Sequence, residues 1–157
     1  MREVLALSII LLCILIDFSS KVFIMSIQSN FDINSYISIY LVYNTGIAFS
    51  LFDEIGASAN RILSGFIFII LIILSFILIK STKSSKKFFY GLTLIIGGGV
   101  SNFIDRYIDG SVVDFILIHY DNLYFPAIFN IADIFISIGT LFILLSFIYK
   151  DDEDYKI

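Results

Sequence analysis

ILSGFIFIILIILSFILI, the segment from Ile62 to Ile79, contains no charged residue and decides the fold class of this chain. A helix needs about 20 predominantly apolar residues to cross the hydrocarbon core of a bilayer, so the segment has the length of one span. The whole chain is 59% hydrophobic, with a mean hydropathy of +0.97. Soluble domains contain only about 45–50% apolar residues. The composition therefore predicts an integral membrane protein.

Three further apolar blocks match this length, so we predict an all-α membrane protein with four transmembrane helices in a single domain. The spans are approximately residues 4–27, 62–79, 88–106 and 129–149, and the outer loops are residues 28–60 and 107–128. The first block follows Met1, Arg2 and Glu3 as a secretory signal would, but no small-x-small cleavage site follows it. We therefore expect it to be retained as a helix.

Basic residues predict the orientation, because lysine and arginine concentrate in cytoplasmic loops. Of the 10 basic residues, those that flank the spans on one side are Arg2, Lys80, Lys83, Lys86, Lys87, Lys150 and Lys156. Both termini are therefore expected in the cytoplasm, with the two long loops outside. The net charge of −4 owes much to the acidic run at residues 151–154, which we interpret as a disordered end.

The first outer loop is too long for a plain turn and alternates between apolar and polar residues from Tyr36 to Tyr43. The alternation predicts a strand, and Asn44-Thr45-Gly46 after it is a turn signal. We expect a small extracytoplasmic sheet that lies on the membrane.

Few residues suit metal binding or thiol chemistry. The chain has one cysteine, Cys13, and one histidine, His119, which leaves no disulfide framework and no metal site of the usual His/Cys kind. No metal, cofactor or nucleic-acid partner is expected.

Gly97, Gly98 and Gly99 remove three successive side chains from the middle of the third span. Such a run lets another backbone approach closely. Helix packing is the simpler interpretation, and a bound substrate backbone is the alternative.

Asp17 and Lys21 lie four residues apart in the first span, so they share a helix face and can neutralise each other. We interpret them as a structural ion pair inside the membrane. A serine–lysine nucleophile built from Ser20 and Lys21 is the less favoured alternative, because adjacent helix positions point about 100° apart.

The third span ends in a polar stripe, Asn102, Asp105 and Arg106, at spacings of three and four residues. Asp105 and Arg106 could pair at the rim, with Asn102 as an inward donor. The stripe is equally compatible with binding a carboxylate or peptide carbonyl and with a purely structural network.

Asp114 and Asp133 are lone carboxylates in apolar surroundings, both near the outer ends of spans. Two carboxyls close together in a low-dielectric setting share a proton, because both cannot ionise cheaply. Such a pair can hydrolyse an amide: the ionised acid activates water and the protonated acid polarises the carbonyl. Two separate structural acids remain the alternative on spacing alone.

Four motifs in chain order resemble those of lipoprotein signal peptidase, also called signal peptidase II. They are Asn44-Thr45-Gly46-Ile47-Ala48-Phe49, the run from Gly97 to Arg106, Gly110-Ser111-Val112-Val113-Asp114-Phe115-Ile116, and Phe129-Asn130-Ile131-Ala132-Asp133. The segment from Asp17 to Lys21 resembles the family's first motif. The family usually has glycine at Ser101, and glutamine and serine are common at Phe18 and Ile134.

The resemblance implies an aspartic endopeptidase of the bacterial cytoplasmic (inner) membrane, with four helices, a small extracytoplasmic β-cradle and an active site near the outer leaflet. It implies Asp114 and Asp133 as the catalytic pair. Substrate-binding or supporting residues would be Asn44, Gly46, Asn102, Arg106 and Asn130. The substrates implied are prolipoproteins in the membrane lipids, cut immediately before a diacylglyceryl-modified cysteine, and the cyclic peptide globomycin would inhibit the enzyme.

A different class, an ion-conducting or proton-coupled membrane protein, also uses intramembrane acids. A transport path needs polar residues across the whole membrane, whereas spans two and four below the level of Asp133 are nearly all isoleucine, leucine and phenylalanine. A non-catalytic scaffold protein is a third possibility, and it predicts no loss of activity when either aspartate is changed.

Overall fold

A computed structural model of the protein describes residues 2–27, 29–46, 57–81, 84–121 and 123–149. Three parts of the predictions lie outside these residues: the middle of the first outer loop, Ile47 to Phe49 of the first outer motif, and the acidic run at residues 151–154.

Four helices make up most of the described chain: α1 (Arg2–Ile27), α2 (Ala57–Lys80), α3 (Lys86–Asp109) and α4 (Ile131–Ile148). Each is long and apolar enough to cross a membrane, which confirms the predicted four-helix membrane fold. The last helix begins two residues later than the predicted span, because Asn130 caps it and Phe129 belongs to a strand.

A four-stranded antiparallel sheet connects the helices in the order β1 (Phe31–Asp32), β2 (Ile37–Asn44), β3 (Val112–Tyr120) and β4 (Leu123–Phe129). Strand β2 is the one predicted from alternation. Pro126 lies in β4, an edge strand, where its missing N–H is tolerated. Ile24 of α1 packs against Val113 and Phe115, which holds the start of β3 over the end of α1.

Helix α3 is central, and its three glycines each face a different helix. A Cβ atom added at Gly97 would lie 2.8 Å from Cys13 Cβ of α1, and one at Gly98 would overlap the carbonyl oxygen of Ala132 in α4. A Cβ atom at Gly99 would lie 2.8 Å from Leu71 Cδ2 of α2. The glycine run therefore serves helix packing, the simpler of the two interpretations.

Candidate active site

Asp114 lies in β3 and is only 4% exposed. Its Oδ2 accepts a hydrogen bond from Asn44 Nδ2 (2.9 Å), and its Oδ1 accepts one from Asn130 Nδ2 (2.7 Å). Burial raises the pKa of the Asp114 carboxyl to about 6, against the opposing effect of the two amide donors, and the charge of nearby Asp133 raises it further. This carboxyl is therefore suited to hold a proton.

Asp133 is the third residue of α4 and is half-buried. Its Oδ2 accepts from the backbone N–H of Asn130 (3.1 Å), and its Oδ1 accepts from Asn102 Nδ2 (2.9 Å). Asn130 Oδ1 in return accepts the backbone N–H of Asp133 (2.9 Å), which completes a capping box. The positive end of the helix dipole favours a negative charge at this position.

Asn130 connects the two acids, and it is fully buried. Its Nδ2 lies 2.7 Å from Asp114 Oδ1, 3.0 Å from Asn102 Oδ1 and 3.3 Å from the Val113 carbonyl oxygen. Its backbone N–H bonds Asp133 at the same time. One residue thus joins Asp114 in the sheet to Asp133 in the helix, although the two acids are 19 positions apart in the sequence.

Lys21 is 2% exposed and contacts more than the predicted Asp17. Its Nζ lies 2.6 Å from Asp17 Oδ2, 2.7 Å from Asp105 Oδ2 and 3.0 Å from Asn102 Oδ1. Asp105 was expected to pair with Arg106 at the rim, and the structure pairs it with Lys21 instead. The reason is that α3 packs beside α1, which brings a buried cation within reach of Asp105.

Asp17 is also fully buried and joins three helices. Its Oδ1 accepts from the backbone N–H of Ala132 in α4 (2.8 Å), and its Oδ2 accepts from Ser101 Oγ in α3 (2.7 Å). The carboxylate therefore anchors the first turn of α4 one residue before Asp133.

The geometry disfavours a serine–lysine nucleophile. Ser20 Oγ donates to the backbone carbonyl of Asp17 (2.7 Å), so its proton is not directed at Lys21. Three acceptors other than Ser20 surround Lys21 Nζ, namely Asp17, Asp105 and Asn102, which accounts for its hydrogen-bonding capacity without the serine.

Arg106 is 7% exposed near the end of α3 and interacts electrostatically with Asp114. Its Nη1 lies 3.5 Å from Asn60 Oδ1 of α2, and Asn60 Nδ2 donates to the carbonyl of Gly110, the left-handed residue that ends α3. Asn60 was not among the sequence candidates. It carries no charge and stands in no recognised motif, so only the proximity of α2 to α3 reveals it.

Gly46 and Asn44 act as one unit at the end of β2. The backbone N–H of Gly46 donates to Asn44 Oδ1 (3.2 Å), which turns the Asn44 amide nitrogen toward Asp114.

The predicted site residues all lie at the same end of the helices, together with Asp17 and Lys21. They are Asn44, Gly46, Asn102, Arg106, Asn130, Asp114 and Asp133. Within the described ranges, no group of three or more His, Cys, Asp or Glu side chains could hold a metal ion.

The sequence is similar to those of known proteins from a single family. A family model described as signal peptidase (SPase) II matches residues 9–149. Proteins named lipoprotein signal peptidase include one from Mesorhizobium japonicum, 37% identical over 120 residues, and one from Bartonella henselae, 41% identical over 113 residues. The alignments cover 74% and 70% of this chain but only 67% and 66% of those relatives. A third, from Pelagibacter ubique, is 34% identical over 144 residues, which are 88% of this chain and 84% of that relative.

Two solved structures, each described as a bacterial membrane enzyme, share the fold. The first, at 2.3 Å resolution, has a TM-score of 0.72 and 25% sequence identity, covering 96% of this chain and 91% of that one. The second, at 1.9 Å, has a TM-score of 0.71 and 25% identity, covering 93% of this chain and 94% of that one.

Proposed function

Since the chain belongs to the signal peptidase II family, we propose that it is an aspartic endopeptidase that removes the signal peptides of prolipoproteins in the membrane. The proposed substrate carries a diacylglyceryl-modified cysteine, and cleavage occurs immediately before that residue. Membrane lipids and the prolipoprotein are the partners we propose.

One observation carries the proposal of aspartic catalysis: a single residue, Asn130, contacts both carboxyls, since its side chain donates to Asp114 and its backbone N–H donates to Asp133. Both acids lie where α3, α4 and the sheet meet. Two carboxyls held this close, one of them buried, favour a state with a single shared proton. That state supplies a base and an acid at the same time.

We assign the base to Asp133 and the acid to Asp114. Each carboxyl accepts two N–H donors, but only Asp133 lies at the amino end of a helix, whose dipole favours a negative charge there. Asp114 lies in a strand, and burial raises its pKa to about 6. Asp133 takes a proton from water as the water oxygen attacks the carbonyl carbon of the scissile amide. Asp114 donates its proton toward the carbonyl oxygen, and the pair then protonates the leaving nitrogen as the C–N bond breaks.

The pH dependence of cleavage tests this assignment. Because the acid must be protonated, and the pKa of Asp114 is raised to about 6, kcat/KM should fall as the pH rises through about 6 to 7. It should also fall at low pH, where the base is protonated. Measuring kcat/KM from pH 4 to 9 in one detergent checks the two limbs, which belong to the pair and not to either residue. A rate independent of pH over this range would contradict a shared proton.

We further propose that both termini are cytoplasmic and that the acid pair lies near the outer leaflet. A cysteine at Ser35 in the β1–β2 turn should then react with an impermeant maleimide in intact cells, and one at Ser84 between α2 and α3 should react only after lysis. The native Cys13 is 3% exposed and should contribute little background. Labelling of Ser84→Cys in intact cells would overturn the orientation.

Cleavage is tested with the purified protein in detergent and a prolipoprotein carrying the diacylglyceryl group. Mass analysis should find the free signal peptide and a product that begins at the modified cysteine. The same prolipoprotein without the lipid is the matched control and should be cut much more slowly. Absence of cleavage would overturn the proposed function, and equal cleavage of both substrates would overturn the requirement for lipid.

A further inference from the structure

We propose that Lys21 is a positioning residue for the reaction: its ammonium orients the Asn102 amide, which then donates to Asp133 and keeps that carboxylate ionised and correctly placed. The inference rests on the proposed function and adds to it a residue of α1. The described contacts of Lys21 are Asp17, Asp105 and Asn102, and its charge also acts on both acids from a distance. The contacts that lead to Asp133 are consecutive, from Lys21 Nζ to Asn102 Oδ1 (3.0 Å) and from Asn102 Nδ2 to Asp133 Oδ1 (2.9 Å).

The direction of these two hydrogen bonds follows from which groups can donate. An ammonium can only donate, so the oxygen of the Asn102 amide must face Lys21 and its nitrogen must face away. Asn130 Nδ2 donates to the same oxygen (3.0 Å) and reinforces the orientation. The nitrogen of Asn102 is therefore directed at Asp133, which must accept. A carboxylate accepts at both oxygens, and Asp133 receives an N–H at each.

Without Lys21 the Asn102 amide oxygen would lose its charged donor and keep only the neutral donor Asn130 Nδ2, which holds the amide less strongly. A reversed amide would present its oxygen to Asp133, and two acceptors would then face each other unless Asp133 took up a proton. The base would thus be protonated over a wider pH range. Lys21 therefore influences the reaction through the ionisation of the pair as well as through packing.

A different side chain, that of Asp17, holds the helices together. Asp17 bonds the backbone of Ala132 and the hydroxyl of Ser101, so α1, α3 and α4 remain joined by contacts that do not pass through Asn102. Among the described residues, the charged side chains around the Asn102 amide are Asp17 and Lys21 of α1, Asp105 and Arg106 of α3, Asp114 of β3 and Asp133 of α4.

The decisive experiment is a double-mutant cycle with Lys21→Met and Asn102→Ala, measured as kcat/KM against pH on the lipid-modified substrate. Lys21→Met alone should move the acidic limb upward by about one pH unit, which lowers kcat/KM about 10-fold at pH values below the limb. In the Asn102→Ala background, Lys21→Met should change kcat/KM by less than about 2-fold, because residues that act as one unit are not additive.

Ser101→Ala is the matched control, since it removes a hydrogen bond from the same buried cluster but not from the path to Asp133. It should lower the melting temperature and leave the acidic limb in place. If Lys21→Met does not fold, the double variant Lys21→Met/Asp105→Asn takes its place in the cycle. This variant removes one charge of each sign from the buried cluster.

An unshifted limb in the Lys21 variant, or losses that add in the double variant, would overturn the positioning role. These outcomes are distinct from failure of the proposed function, which would show as absence of cleavage by the wild-type protein. If the wild type cleaves the substrate and the cycle is additive, the proposed function is retained and only the proposed role of Lys21 is wrong.

Discussion

Replacement of Asp114 or Asp133 by asparagine is expected to lower kcat by about 10³-fold, because each change removes the proton-transfer group and keeps its shape. An asparagine also gives up one acceptor oxygen, so a loss of stability of about 1–3 kcal/mol accompanies the change. Substrate binding should be nearly unchanged. Single-turnover cleavage and the melting temperature of each purified variant separate the two effects.

The double variant should be about as inactive as either single one, because the pair works as a unit. Asp109→Asn is the matched control. It makes the same substitution in an exposed acid at the C-terminal end of α3, and it should retain wild-type kcat. Substantial turnover by a single variant at the pair, in a preparation free of host enzyme, would return both carboxylates to a structural role.

Gly98→Ala should have the second largest effect, although Gly98 contacts no acid. The new Cβ would overlap the carbonyl oxygen of Ala132, which is backbone and cannot rotate away. Helix α4 must then move off α3 at the residue before Asp133. Overpacking costs about 1–3 kcal/mol, and a shift of about 1 Å at a reacting group can cost about 10²-fold in rate. Both melting temperature and kcat should fall.

Gly99→Ala is the neighbouring control. Its Cβ would meet Leu71 Cδ2, the far end of a flexible side chain that can adopt another rotamer. The variant should therefore keep its activity and lose little stability. If Gly98→Ala and Gly99→Ala behaved alike, close approach of α4 would not be what positions Asp133.

The sequence was a good guide to the membrane helices and a poor one to the second half of the sheet. Strand β2 alternates between polar and apolar residues, and that period was visible. Strands β3 and β4 are nearly continuous apolar runs, which cannot be distinguished from short helix segments by periodicity. Strand pairing decides the matter: β3 pairs with β2, whose residues are about 70 positions away, as in the bond from Asn44 to Asp114, and β4 pairs with β3.

The partners of the charged side chains were also only partly predictable from the sequence. The spacing of Asp17 and Lys21 predicted their contact, because four residues bring side chains together on any helix. Asp105 and Asn102 reach Lys21 only because α3 packs against α1, and Asn60 reaches Arg106 only because α2 lies beside α3.

Composition alone determined the membrane class and the four spans, since hydropathy is a property of individual residues, and the order of the motifs singled out Asp114 and Asp133 as candidates. The tertiary structure decided which acid sits at a helix terminus, which is buried in a strand, and which side chains orient them. Those features depend on burial and on hydrogen-bond direction, and both exist only once segments distant in sequence have packed together.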